Sequence, residues 1–413
     1  MLKRSFLIFF LSCFTLIAQN QSRSLDFYLK EGLQNSPLLN DYRNQINSAT
    51  ADSLLIRASK KPFVEARSQL MYAPFSHNFG YDDVITDGGN YTAVMGVSQN
   101  IFNKKELANK YNAANLQRQL AANSTRITSN ELNKVITDQY LVTLSGYNDY
   151  LFNKKFLELF DKENRIVTEF VKNGVCKQTD YLSLVVETQS QVILISQVKG
   201  QFRKDLMQLN FLCGLNDSIW VELTEPMIGI KGKADIEKSP SYIQYKIDSV
   251  KIENEKAAID IRYRLKVNWF ADAGFLTSTP FNFYKHFGTS AGIGMNIPIY
   301  DGKQRDIEKH KLEFDENSRQ MYQTSYHNQY FQQIQQLNDE LRSLNETSVQ
   351  MENQLKTSDQ LVNALKGQLE AGNIQMTEYI NAIKNLKNIS RNLNLMKMQK
   401  LQVINEMNFL LTQ

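Results

Sequence analysis

The chain has 413 residues, with 47 Lys plus Arg against 43 Asp plus Glu and a formal net charge of +4 at pH 7. That balance offers no basic surface for nucleic acid. Its three cysteines are too few for a disulfide scaffold.

Residues 1–18 read as a secretory signal. Lys3 and Arg4 form a short positive region, Ser5 to Ile17 is almost wholly apolar, and Ala18 is a small residue suited to cleavage. The run is too short to span a bilayer core of about 30 Å. A buried N-terminal helix and a lipoprotein acylated at Cys13 are the alternatives. Without Lys3 and Arg4 the formal charge falls from +4 to +2. No later apolar run is long enough for a transmembrane helix, so an exported chain of this kind is periplasmic, secreted or an outer-membrane barrel. Cys176 and Cys213 stand at opposite ends of a predicted helix of roughly 33 residues, about 50 Å apart, too far for a disulfide within one chain.

From residue 19 the chain reads twice through one layout of helix, strand, loop, strand and long helices. The halves are predicted at 19–213 and 240–413, with a linker at 214–239. Asn35-Ser36-Pro37 matches Lys238-Ser239-Pro240 at an offset of 203, and Ala73-Pro74-Phe75 matches Thr279-Pro280-Phe281 at 206. Gln99 to Phe102 matches Ile297 to Tyr300, Gly174 matches Gly372, and Asn210-Phe211-Leu212 matches Asn408-Phe409-Leu410, all at 198. The shift in offset puts a length difference at His77 to Asn90 against Asn282 to Gly288, predicted to be exposed hairpin tips. An internal duplication of about 200 residues follows.

Four segments are predicted as strands: 62–76, 90–102, 266–281 and 289–300. In the third, Trp269, Ala271, Ala273 and Phe275 alternate with Asn268, Phe270, Asp272 and Gly274. In the first, Glu65, Arg67 and Gln69 oppose Ala66, Ser68, Leu70 and Tyr72. One face is mainly apolar and the other polar or small, at lengths that cross a bilayer. A soluble sheet packed on helices would show the same alternation. Four strands cannot enclose a lumen, and open edges are not tolerated in lipid. A membrane reading therefore requires other copies, and three would supply twelve strands.

No proline falls between Phe75 and Glu225 or after Ile299, leaving two long stretches free to be helical. Asn103 to Lys172 would form a helix of roughly 105 Å if unbroken. In the second half Ile334, Leu337, Leu341, Leu344, Met351, Leu355, Val362, Leu365 and Leu369, with Ser348 and Ser358, alternate spacings of three and four. That is a coiled-coil seam. Ile136, Tyr150, Leu157, Phe160, Val167 and Val171 carry a weaker one. The helices alone leave a soluble coiled-coil rod or periplasmic adaptor open.

Taken together, Ser24-Leu25-Asp26 through Pro37, Val97 to Phe102, Met295 through Asp301-Gly302, and the paired runs Asn173-Gly174 to Leu182 and Ala371-Gly372 to Ile380 resemble the TolC-like outer-membrane factor family in order and spacing. The resemblance implies an α+β membrane protein. It would be a homotrimer with a twelve-stranded outer-membrane β-barrel and a long α-helical coiled-coil tunnel in the periplasm. It implies a passive export conduit, gated at the helical tip by a periplasmic adaptor protein and an inner-membrane pump. It places the pore constriction at Asp180, Ser183, Glu378 and Asn381. The tip turn and adaptor-docking residues would be Gly174, Gly372, Leu182 and Tyr379. The acidic residue six positions after the tip glycine is kept, at Asp180 and Glu378. The one nine positions after is not, and Ile374 replaces the family's gate arginine. A solvated carboxylate near a helix N-terminus is the plainer reading of Glu378.

No catalytic constellation is read, and no cofactor or metal site. His77, His286, His310 and His327 have no metal-ligand spacing. Gly288, Gly292 and Gly294 precede a strand rather than a helix, which argues against a phosphate loop. The twelve methionines are scattered, against a metal-export lining.

Overall fold

The computed structural model describes residues 22–73, 89–174, 177–217, 219–278 and 281–412. The signal segment, the first hairpin tip at 77–88, Cys176 and Pro280 lie outside the described residues. Two compact units divide the chain. One takes the described parts of Met1–Ser36, Glu131–Gly232 and Ile334–Leu410; the other takes Pro37–Asn130, Lys233–Gln333 and Leu411–Gln413. Each unit therefore draws on both halves of the duplicated sequence.

In the second unit, helix α2 (Pro37–Ala58) leads into strand β2 (Phe63–Tyr72), strand β3 (Gly89–Ile101) and the start of helix α3 (Lys104–Lys172). The repeat copy is helix α5 (Pro240–Arg262), strand β5 (Lys266–Thr277), strand β6 (Phe287–Asn296) and the start of helix α6 (Gln304–Glu370). The duplicated Ser-Pro steps open helices. Pro37 is the first residue of α2, and at α5 the Ser239 hydroxyl accepts from the Tyr242 N–H (3.2 Å) with Pro240 following it. Proline suits the first helical turn because its missing N–H would have no helical partner there.

The strands form one antiparallel sheet in the order β2-β3-β5-β6. Its last strand ends at Asn296, short of the predicted Tyr300: Pro298 has no N–H to donate, and Ile297–Tyr300 pair with nothing in the ladder. β5 ends at Thr277, short of the predicted 281. Gly274 of β5 lies so close to β3 that a Cβ there would overlap the Ala93 carbonyl oxygen, and only glycine admits that approach. Side-chain hydrogen bonds tie the helices of this unit. Asn109 donates to the Asn254 carbonyl (2.7 Å), Asn123 to the Pro240 carbonyl (2.8 Å) and Arg305 to Asp260 (2.7 Å).

The first unit opens with a two-residue strand β1 (Ser22–Arg23) and helix α1 (Leu25–Asn35). It continues with the later part of α3, helix α4 (Gln178–Leu212), a second short strand β4 (Glu222–Leu223), the later part of α6 and helix α7 (Met376–Thr412). β1 pairs in parallel with β4, a pairing the sequence pattern did not announce because two residues carry no period. Tyr140 of α3 donates to the Thr224 carbonyl (2.6 Å) beside this pair. Around it Tyr28, Ile136, Leu144, Phe202 and Leu209 form a closed apolar core. Cys213 is buried in that core, and burial pushes its thiol up to about 12. The matched Asn210 and Asn408 do the same work. Asn210 donates to the Asp217 carbonyl (2.9 Å) and Asn408 to the Gly229 carbonyl (2.8 Å), each fastening a helix to the segment 214–239.

Candidate functional site

Two places hold the candidate functional residues: the turns at the ends of α3 and α6, and the two faces of the sheet.

Gly174 and Gly372 have φ of +72° and +73°, the left-handed conformation that ends a helix. At α6 the Gly372 N–H bonds the Leu369 carbonyl (3.0 Å) and the Asn373 N–H bonds the Gln368 carbonyl (2.9 Å), which satisfies carbonyls the helix would leave free. At α3 the Gly174 N–H bonds the Val171 carbonyl (3.1 Å). The repeated sequence motif is thus one helix-stop device used twice.

Beyond these turns, Asp180 lies in the first turn of α4, where its carboxylate accepts from the Lys177 N–H (3.2 Å). Glu378 lies in the first turn of α7 and is exposed. Both carboxylates suit the positive end of a helix dipole. Leu182, Ser183 and Asn381 line one groove between α4 and α7, together with Val186, Ile380 and the Lys384–Glu187 ion pair (2.6 Å). Three of the predicted tip residues are therefore brought together.

Tyr379, expected at the docking surface, turns inward. It is 2 % exposed, packed with Phe160, Leu184, Val362 and Ile383. Its side chain meets the Glu163 carboxylate, and burial and that carboxylate together raise its pKa above the usual tyrosine value. The heptad spacing places it inward, one position beside the exposed Glu378.

Sequence reasoning missed the polar residues inside this core. Glu163, 3 % exposed, accepts from the Lys366 ammonium (2.8 Å) across α3 and α6. Gln191 donates to the Asn153 carbonyl (2.8 Å) and accepts from Lys387 (2.6 Å), joining α4 to α3 and α7. Burial pulls the Lys387 ammonium below its usual pKa. A signal existed: Asn153 and Glu163 fall at seam spacing with Phe160 and Val167, where a polar residue needs a buried partner.

In the sheet, directly opposite residues share a face, so register assigns every side chain. Leu70 pairs with Tyr91, Ala66 with Met95, Met95 with Ala273, Ala93 with Phe275, Trp269 with Ile293 and Val267 with Met295. That face is apolar and uncovered in the single chain: Leu70 is 79 % exposed, Tyr72 77 % and Met295 70 %. Tyr72, Tyr91, Phe275 and Phe287 crowd one end, and Trp269 near the other donates its indole N–H to Gln99 (3.1 Å). The opposite face carries Glu65, Arg67, Gln69, Asn268, Asp272, Ser290 and glycines. An apolar stripe between aromatic ends, backed by a polar face, suits a barrel wall with lipid outside and water inside. Among the described residues, β2 and β6 form the two outer edges of the sheet and pair with no further strand. No helix among the described residues is long and apolar enough to cross a membrane.

Comparison with solved structures agrees over nearly the whole length. The channel protein CusC covers 96 % of this chain and 96 % of its own at 13 % identity, with a TM-score of 0.78. The outer-membrane protein VceC of Vibrio cholerae covers 94 % of this chain and 95 % of its own at 12 % identity and 0.75. The fold is that of outer-membrane channel protomers. CmeC, an outer-membrane channel of Campylobacter jejuni, covers 94 % of this chain and 86 % of its own at 13 % identity and 0.73. No protein-family profile and no curated protein sequence matches the chain. The channel fold accounts for the strands in a way that a soluble rod or adaptor does not.

Proposed function

We propose that the chain is one subunit of a trimeric outer-membrane channel, a passive conduit from periplasm to exterior. One observation carries this reading: an antiparallel sheet with an uncovered apolar face and both edges open. Such a sheet is stable in lipid only when closed, and its four strands fall short of the eight in the smallest outer-membrane barrels. Three copies joined β6 to β2 give a twelve-stranded wall with the polar face lining the lumen. The helical part then stands in the periplasm. A periplasmic adaptor and an inner-membrane pump engage its tip, Leu182 and the groove beside it offering exposed apolar surface. The likeness to solved channels also favours a conduit over an enzyme.

Asp180, Ser183, Glu378 and Asn381 belong to the tip constriction in this reading. Three Glu378 carboxylates around an axis would concentrate negative potential and favour cations. Planar-bilayer recording of the purified protein tests the proposal. Stepwise conductance, with a cation preference lowered by Glu378→Gln, supports both parts. Conductance with unchanged selectivity removes the role of Glu378, and absence of any conductance from membrane-inserted protein removes the channel.

A further inference from the structure

The polar face of the sheet gathers its charges into one narrow band. Glu65, Gly96, Asp272 and Ser290 are successive partners along one ladder row through all four strands. Arg67 sits one row away, with Val94, Gly274 and Gly288 as its row partners, and is ion-paired to Glu65. Asp272 is held by the Ser290 hydroxyl, which donates to it at 2.7 Å. Glu65, Arg67 and Asp272 line a groove of about 410 Å³ together with Gly96, Asn268 and Phe270. The Phe270 ring lies over Gly292 and the Asn268 amide over Gly294, each so close that a Cβ on the glycine would meet it at 2.7 and 2.6 Å. The remaining charge on this face of the described strands, Lys266, is six residues along β5 from Asp272. That is about 20 Å, beyond the Debye length of about 8 Å at physiological salt.

We infer that this band is a second charge filter, set in the barrel wall and selecting monovalent cations over anions by the net negative charge that Glu65, Arg67 and Asp272 leave. The inference rests on the channel reading above. Around a three-fold axis equivalent residues share one height, so three copies make rings of Asp272, Glu65 and Arg67 whatever the stagger of the strands. Glu65 and Arg67 largely cancel, leaving one negative charge per subunit at this level. Arg67 keeps the preference moderate, and its removal frees Glu65 to act with Asp272.

The test is the reversal potential of the full-length protein in planar bilayers under a tenfold KCl gradient, recorded with both Glu378 and Glu378→Gln tips. Asp272→Asn lowers the cation-to-anion permeability ratio by about twofold or more and Arg67→Gln raises it by a similar factor, a change in potential of a fraction of RT per charge. Both effects shrink between 0.1 and 1 M salt, where the Debye length falls from about 10 to 3 Å. Conducting variants with an unchanged ratio in both tip backgrounds overturn the filter and leave the channel standing. Membrane-inserted protein that never conducts overturns the channel and the filter with it.

Discussion

Gly372 has φ +73° with nothing within 4 Å of where a Cβ would stand, so a side chain there meets strain and no clash. Gly372→Ala is expected to cost about 1–2 kcal/mol, and Gly372→Asn less because asparagine tolerates that conformation. Urea unfolding of the solubilised protein measures both, and equal losses would point to a contact rather than backbone strain. Glu163 makes a sharper case. Removing its cationic partner with Lys366→Met leaves a side chain that is 4 % exposed with its charge unpaired, facing only Tyr379, whereas the Lys366 side chain is 37 % exposed. The expected loss is about 2–3 kcal/mol, below the full cost of breaking a buried pair because water reaches the lysine side. Glu163→Gln in the same background should recover part of it. The glycines were legible because a constant offset repeats them. Tyr379 and Glu163 were not, because spacing tells which way a residue faces but not which charge it meets there.

Strands and helices carry predictions of their own. Met95 lies on the apolar face of β3, in a row between those of Trp269 and Phe275, and is 66 % exposed in the single chain. Met95→Arg should cost about 2–4 kcal/mol near the bilayer midplane and lower the yield of folded protein in outer-membrane fractions, while Ser290→Arg on the other face should not. In α6 the Arg319 guanidinium holds the Glu316 carboxyl down to about 2, from an ordinary value of 4.5. A carboxylate with a depressed folded pKa adds stability above its unfolded value and loses it as pH falls. That contribution is complete above about pH 4.5 and is gone below about pH 2. The urea midpoint should therefore drop less between pH 6 and pH 3 in Glu316→Gln than in the original chain. The alternation of β5 and the seam of α6 were plain in the sequence, since period two and period 3.5 persist over many residues. The end of β6 was misplaced because apolar residues continue past Asn296 although Pro298 stops the ladder. The short β1–β4 pair has no pattern to read.

At the scale of the whole chain, duplication and compactness divide the sequence differently. Each compact unit takes matching segments from both halves, which offsets between motifs reveal only as repetition. The expectation of further copies rests on the strand count, because four strands cannot enclose water. The order β2-β3-β5-β6 makes that expectation specific, with one open edge from each half of the duplication. In the proposed channel a lumen lined by glycine, serine and a few charges would recognise little beyond charge. The most direct measurement is single-particle electron microscopy of the protein extracted from membranes in detergent. The account predicts a three-fold particle whose barrel has twelve strands, with β6 of each copy paired to β2 of the next. A monomer, a dimer, or a sheet whose apolar face is covered by helices instead of detergent would contradict it.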